Sequence, residues 1–348
     1  MYRTMHRQPA DLAHLLLTGW PQSERAADLI AGSRRVFLTG IGTSYHAALV
    51  GEGLLRGAGL DARAVSSFDL SVYPDLYPLH TDDAVIVMAH TGTKQFSTRA
   101  LDRAAGSGCT VISVGSTTAE HPGSQLVLRT VVPEESAAYT ASHTGAMFAL
   151  AQVATRVAQG AGLSVGNEFQ RTLDALPEQV RLTLDREDEI LAISAIAAHS
   201  QTYVAGAGPN AATACEAVIK AREAATARID GLALEQFLHG PIVSVNAGDV
   251  AVVINVKGAQ AGTVRRCAEV AGVLARIGTS VWLVGQAALE APNARIFELP
   301  EVNELLSPIL AVIPMQVFAY QMAVERGANP DHFRLEDPHY AAALTVEL

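Results

Sequence analysis

The stretch 34–48, RRVFLTGIGTSYHAA, runs an apolar segment into Gly40 and Gly42, then through Thr43 and Ser44 into residues that favour a helix. This order describes a buried strand, a glycine turn and a helix start. It returns at 200–214 as SQTYVAGAGPNAATA. Working outward, DDAVIVMAHTGTKQ (82–95) is echoed by GDVAVVINVKGAQAG (248–262), and GCTVISVGSTT (108–118) by GTSVWLVGQAA (278–288). SQLVLRTVVPEE (124–135) is echoed by NARIFELPEVNE (293–304). Each block is short, rich in Val and Ile, and closed by Gly, Ser or Thr, as strands buried on both faces are.

Ala-rich segments of helical spacing, such as STRALDRAAGSG (97–108) and TVRRCAEVAGVLARIG (263–278), separate the strands and end in glycine. Alternating strand and helix implies parallel sheets covered on both faces. The expected fold is α/β: two doubly wound parallel-sheet modules in tandem, each a flavodoxin-like αβα sandwich. Residues 1–34 form an N-terminal helical segment, 35–165 the first module, 166–199 a charged helical connector, 200–300 the second module, and 301–348 a helix and tail.

In open α/β sheets, ligands sit outside the carboxyl ends of the strands. GIGTS, AHTGTK, GAGPN and NVKGA therefore mark the candidate turns. The first is not a dinucleotide fingerprint, because Tyr45 stands where the third glycine belongs, and no Gly-Lys-Ser/Thr follows for a Walker loop. It remains a turn with backbone N–H groups at a helix start and hydroxyls on Thr43 and Ser44, suited to one phosphate monoester. The second turn adds Thr91, Thr93 and Lys94 around Gly92, a point charge beside hydroxyls. Ser and Thr also serve as ordinary helix caps; two such turns in one module favour the phosphate reading. The second module's glycine turn ends in Pro-Asn and keeps only the scaffold.

Further on, Glu216, Lys220 and Glu223 fall at i, i+4 and i+7 of a helical segment whose intervening residues are almost all small and apolar. They share one helix face. A solvated ion pair is the plain reading, but the apolar surroundings indicate a buried helix carrying charges that must be paired or used. His239 follows in LEQFLHGPI, directly before Gly240 and Pro241, where a helix cannot continue.

The bulk properties narrow the function classes. The chain has 348 residues, 49% hydrophobic and 17% charged, with a formal charge of −10. This balance describes a well-packed globular protein and excludes a basic nucleic-acid-binding face, while leaving room for a small phosphorylated ligand. No apolar run reads as a membrane span, and the start, MYRTMHRQPADLAHLLLTGW, has no signal-peptide layout. Three dispersed cysteines, Cys109, Cys215 and Cys267, point to reduced thiols and a cytoplasmic location. Among 25 basic residues only Lys94, Lys220 and Lys257 are lysine, a skew attributed to nucleotide bias. The eleven histidines show no ligand spacing, so no metal is expected.

With GTSY, TGT, TASHTGA, EAVIKAREAA, HGP, LPEVNELLSPILAVIPMQVFAY and the closing TVEL on the page, the chain resembles the tandem sugar isomerase (SIS) proteins. It is most similar to the isomerase half of glutamine–fructose-6-phosphate transaminases. The resemblance covers nearly the whole chain. It implies that the sugar phosphate is held by Gly42, Thr43, Ser44, Thr91, Gly92 and Thr93, with Ser142 joining them. His90 and His143, read as loop residues near that pocket, are at most lining residues. The family's Ser-Gln-Ser-Gly appears here as Ala89-His90-Thr91-Gly92, one hydroxyl short, and Lys94 replaces a threonine. Glu223 corresponds to the enolisation base, Glu216 and Lys220 to its supporting carboxylate and amine. His239 corresponds to the ring-opening acid/base, entering from a neighbouring subunit, so a homodimer is implied.

The family's tail lysine, which forms an imine with the ketose, is replaced by the Ala341–Ala343 run, and no lysine follows Lys257. A glutaminase segment is not recognised in this sequence. The expected substrate is a sugar 6-phosphate that already carries its nitrogen. The expected reaction is aldose–ketose isomerisation or deamination of an amino-sugar 6-phosphate without a cofactor. A fructosamine-6-phosphate deglycase and a phosphosugar sensor without turnover are the alternatives. Nucleic acid and membrane are not expected partners.

Overall fold

The structure is a computed structural model and describes residues 1–256, 261–286 and 294–343. The turn residues Lys257 to Ala259 and the terminal TVEL lie outside the described residues. The chain divides into two compact units. One comprises Arg7–Glu134 with Ala141–Pro177; the other comprises Met1–His6, Glu135–Thr140 and the described chain from Glu178 onward.

In the first unit, strands β1 (Val36–Gly40), β2 (Ala62–Ser66), β3 (Ala84–Met88), β4 (Thr110–Gly115) and β5 (Leu126–Arg129) form one sheet in the order β2-β1-β3-β4-β5. Every pairing is parallel. β1 and β3 are buried at every position, which explains why their sequences show no alternation of apolar and polar residues. Phe37, Val65, Val87, Leu101 and Val111 pack one face of this sheet. Chain order reverses between β1 and β3, whose register pairs Thr39 with Val87. That reversal is where a doubly wound sheet leaves a crevice at its carboxyl edge.

The second unit repeats the plan. Strands β6 (Thr202–Gly206), β7 (Ile229–Ala233), β8 (Val250–Asn255), β9 (Ser280–Gly285) and β10 (Arg295–Glu298) are again all parallel, in the order β10-β9-β8-β6-β7. Taken in chain order within each sheet, the two arrangements are the same. Tyr203, Phe237, Val253 and Leu283 belong to the core on one side. On the other, the helix Asn210–Ala225 packs along the helix Ser307–Glu325. Asn210 Nδ2 donates to Ser307 Oγ at 2.8 Å inside that contact.

The segment Glu304–Glu325 corrects one sequence reading. It is long and apolar enough to cross a membrane, yet 89% of its apolar window is buried within the fold. A central core helix passes the same test of length and hydropathy, because both must be apolar all round. The tail also contains a short helix, Pro338–Ala343.

Candidate active site

In the first unit, β1 delivers the chain to Gly42, whose φ of 57° and ψ of −129° suit glycine, and the helix Thr43–Gly57 starts at once. Tyr45 and His46 N–H both donate to Gly42 O, at 2.9 and 3.1 Å. Thr43 and Ser44 are half-buried in the first turn of this helix. After β3, Gly92 takes φ 75°, and a Cβ there would lie 2.4 Å from Glu120 O. The turn around it is organised by Thr91, whose Oγ1 accepts from Thr93 Oγ1 at 3.1 Å. Lys94 is the exposed N-cap residue of the helix Gln95–Gly106. Both turns thus follow adjacent, paired strands at the point of chain reversal and end at helix N-termini. That arrangement favours a bound anion.

His90 lies in the same turn, and burial, with Arg7's charge adding, pushes its imidazole down to about 4. It therefore lines the turn as a neutral ring. His143 is buried in the first turns of the helix Ala141–Gly160. Ser142 is engaged locally: its N–H and Oγ both donate to Glu134 Oε1, at 2.7 and 2.8 Å. Glu134 was not legible as a partner from the sequence, since the pair is eight residues apart across a loop.

In the second unit, the helix Asn210–Ala225 begins after β6 and ends at Thr226, which is left-handed with φ 48°. Its alanine face packs inward, and Lys220 goes inward with it, its side chain only 1% exposed. The ammonium lies 3.6 Å from Glu216 Oε1 and donates to Glu223 Oε2. Glu216 is as buried as Lys220, whereas the Glu223 side chain keeps 26% of its surface open. The three residues of the i, i+4, i+7 face are therefore joined, with the ammonium between the two carboxylates. A buried ammonium without such partners would cost several kcal/mol.

His239 stands apart from this group. It follows the short helix Leu234–Leu238 and precedes Gly240 at φ 134° and Pro241. Its side chain is 76% exposed, and Nε2 lies 3.6 Å from Glu235 Oε2. Glu235 is held below the usual carboxylate range by Arg266, whose Nε and Nη2 donate to it at 2.6 and 3.1 Å. Among the described residues, no group of three or more His, Cys, Asp or Glu is arranged to hold a metal ion.

No family model matches the chain. Glutamine–fructose-6-phosphate aminotransferase (isomerizing) of Pyrobaculum aerophilum is 31% identical over 357 aligned positions, which take in all of this chain and 57% of that protein. The chain is homologous to it over that stretch and spans a little over half the length of the curated relatives it matches. Among solved structures, the C-terminal domain of glucosamine-fructose-6-phosphate aminotransferase from Francisella tularensis superposes with a TM-score of 0.87 at 17% identity. The match covers 95% of this chain and 98% of that one. Glucosamine-6-phosphate deaminase from Thermotoga maritima does so with a TM-score of 0.74 at 19% identity, covering 95% and 96%. These superpositions show the shared fold of two five-stranded parallel sheets with flanking helices.

Proposed function

We propose that the protein is a phosphosugar aldose–ketose isomerase or deaminase that acts on an amino-sugar 6-phosphate by carboxylate-mediated enolisation. The observation that carries this reading is the Glu216–Lys220–Glu223 group. A buried ammonium fixes two carboxylates, and only Glu223 remains open to a substrate.

Glu223 takes the proton from carbon 2 of the open-chain amino sugar, and the electron pair moves into an enolamine. Lys220, already bonded to Glu223, supplies positive charge near the oxygen on which negative charge develops. Return of the proton to carbon 1 gives the ketose imine. Water then adds to the imine carbon, and ammonia leaves as the ketose forms. A carboxylate suits this transfer because one oxygen can remove and return the proton on a single face of the sugar. The phosphate is assigned to the hydroxyl turns carrying Thr43, Ser44, Thr91 and Thr93, with Lys94 as the nearby cation. Homology to an isomerizing aminotransferase supports this substrate class.

His239 is assigned the ring-opening proton transfer. Its exposure, and an ion-pair geometry that among the described residues involves Glu235, support a role at the site of a second copy of the chain. The protein is accordingly proposed to act as a homodimer. A related reading, deglycation of a fructosamine 6-phosphate, is favoured by the Ala341–Ala343 run where the resembling family has its imine-forming lysine. Such a substrate brings its own carbon–nitrogen bond. A sensor without turnover has no use for a proton-transfer group, which weighs against it.

The test is a panel of 6-phosphosugars incubated with wild type and Glu223→Gln, followed for ammonia or amino-acid release and for binding. Release by wild type, with binding but no release by E223Q, supports the reading. Binding without release by both makes the protein a sensor. Equal release removes Glu223 from the chemistry.

A further inference from the structure

His121 belongs to no motif in the sequence, yet it is 8% exposed, and its Nε2 is buried without a hydrogen-bond partner among the described residues. It lies in the loop after β4, against Gly115 at the end of that strand and Gly92 at the centre of the candidate phosphate turn. A Cβ on Gly115, the last residue of β4, would meet Nε2 at 2.4 Å; a Cβ on Gly92 would meet Cε1 at 3.5 Å. The adjoining carbonyl, Glu120 O, occupies the space a side chain on Gly92 would need. The imidazole is thus a space-filling wedge between the end of β4 and the underside of the 90–94 turn.

The loop that carries the wedge is itself braced. Arg129 Nη1 donates to Ser116 O at 3.1 Å and to Ala119 O. Gly115 O accepts from both Thr130 N and Thr130 Oγ1 at 2.9 Å. The two loops are tied to each other where Ser116 N–H donates to His90 O at 2.9 Å. Burial and the Arg129 charge push the His121 imidazole below its ordinary range. The ring is neutral near pH 7 and adds no charge to an anion site.

From this packing we infer that His121 is a positioning residue. By filling the space between Gly115 and Gly92, it fixes where the 90–94 turn presents Thr91, Thr93 and its backbone N–H groups to a phosphate. The inference rests on the phosphosugar reading and adds to it a residue outside the proposed contact set. The role is assigned to the volume of the ring, whose Nε2 has no hydrogen-bond partner among the described residues. Close-packed interiors transmit sub-ångström changes of this kind to the groups they support.

A double-mutant cycle tests it, with affinity for inorganic phosphate and for glucosamine 6-phosphate measured by calorimetry on variants whose melting is checked first. His121→Ala is expected to weaken both affinities about tenfold, with turnover at saturation changed less than about threefold. Gly115→Ala, which pushes the ring away, is expected to weaken them similarly. Because the closest clash disappears with the ring and only the 3.1 Å approach to Ala119 Cβ remains, Gly115→Ala in the H121A background costs less than about threefold further. If H121A does not fold, His121→Asn takes its place in the cycle under the same criteria. Wild-type binding with either single variant within about twofold overturns the wedge alone, as does full multiplication of the two losses. Failure of wild type to bind either ligand overturns the phosphosugar reading and this inference with it.

Discussion

Lys220 donates a hydrogen bond to Glu223 from a position almost wholly closed to solvent, while Glu223 itself remains partly open. The pair is asymmetric: one member is structural in its burial, the other available to a ligand. Glu216 completes it from one turn earlier on the same helix.

That asymmetry has a stability consequence. Lys220→Met leaves the Glu216 carboxylate buried with its cation removed, and breaking a buried pair from one side costs about 3–5 kcal/mol. Adding Glu216→Gln removes the stranded charge and restores most of the loss. Urea denaturation of the single and double variants measures both values. A single variant as stable as wild type would mean that the ammonium is not needed to hold Glu216.

His90 predicts how stability depends on pH. Its folded value of about 4 lies below the ordinary 6.5. Between those values the unfolded chain is protonated at this position and the folded chain is not, so the group destabilises the fold as pH falls through 6.5 toward 4. Its effect is complete below about 4, with a ceiling of about 3 kcal/mol. Above 6.5 it contributes nothing. His90→Gln should flatten this part of the stability profile, as read by denaturant melts across the range. An unchanged slope would assign the acid sensitivity elsewhere.

Lys94 is an exposed cation at a helix N-terminus beside the Thr91–Thr93 pair. Lys94→Gln should weaken phosphosugar binding about tenfold, since charge-assisted bonds contribute about 1.5–3 kcal/mol. It should also reduce the salt dependence of binding, while leaving melting within about 0.5 kcal/mol. Titrations at two ionic strengths read both effects. Unchanged affinity and salt response would place the phosphate away from this turn.

His239 makes a prediction about assembly. His239→Asn, at a side chain 76% exposed, should leave stability unchanged and remove turnover. Mixing inactive H239N with inactive E223Q should then regain activity, because in a mixed dimer one site receives both an intact Glu223 and an intact His239. No recovery under conditions that exchange subunits would restrict His239 to its own chain or remove it from the reaction.

Four strands of each sheet were legible as Val- and Ile-rich runs closed by glycine turns, whereas the edge strands Ala62–Ser66 and Ile229–Ala233, only partly buried and without such a run, were not. The Glu216–Lys220–Glu223 face was legible too, since helical spacing alone puts those positions together. Other features depend on contacts that local spacing does not encode. Ser142 is bonded to Glu134 across a loop, and His121 reaches the 90–94 turn from the next strand along. The helix Ser307–Glu325 was expected, but its length and hydropathy, which also satisfy a membrane span, were underestimated in the sequence.

The central claim is that Glu223 moves a proton between neighbouring carbons of a bound phosphosugar, and exchange with solvent reports that step directly. Wild type incubated with glucosamine 6-phosphate in deuterated water should incorporate deuterium at carbon 1 of the ketose product and at carbon 2 of recovered substrate, followed by proton NMR. The E223Q variant should bind the sugar and incorporate none. Deuterium exchange, or conversion of the sugar, at the wild-type rate in E223Q would contradict enolisation by this carboxylate.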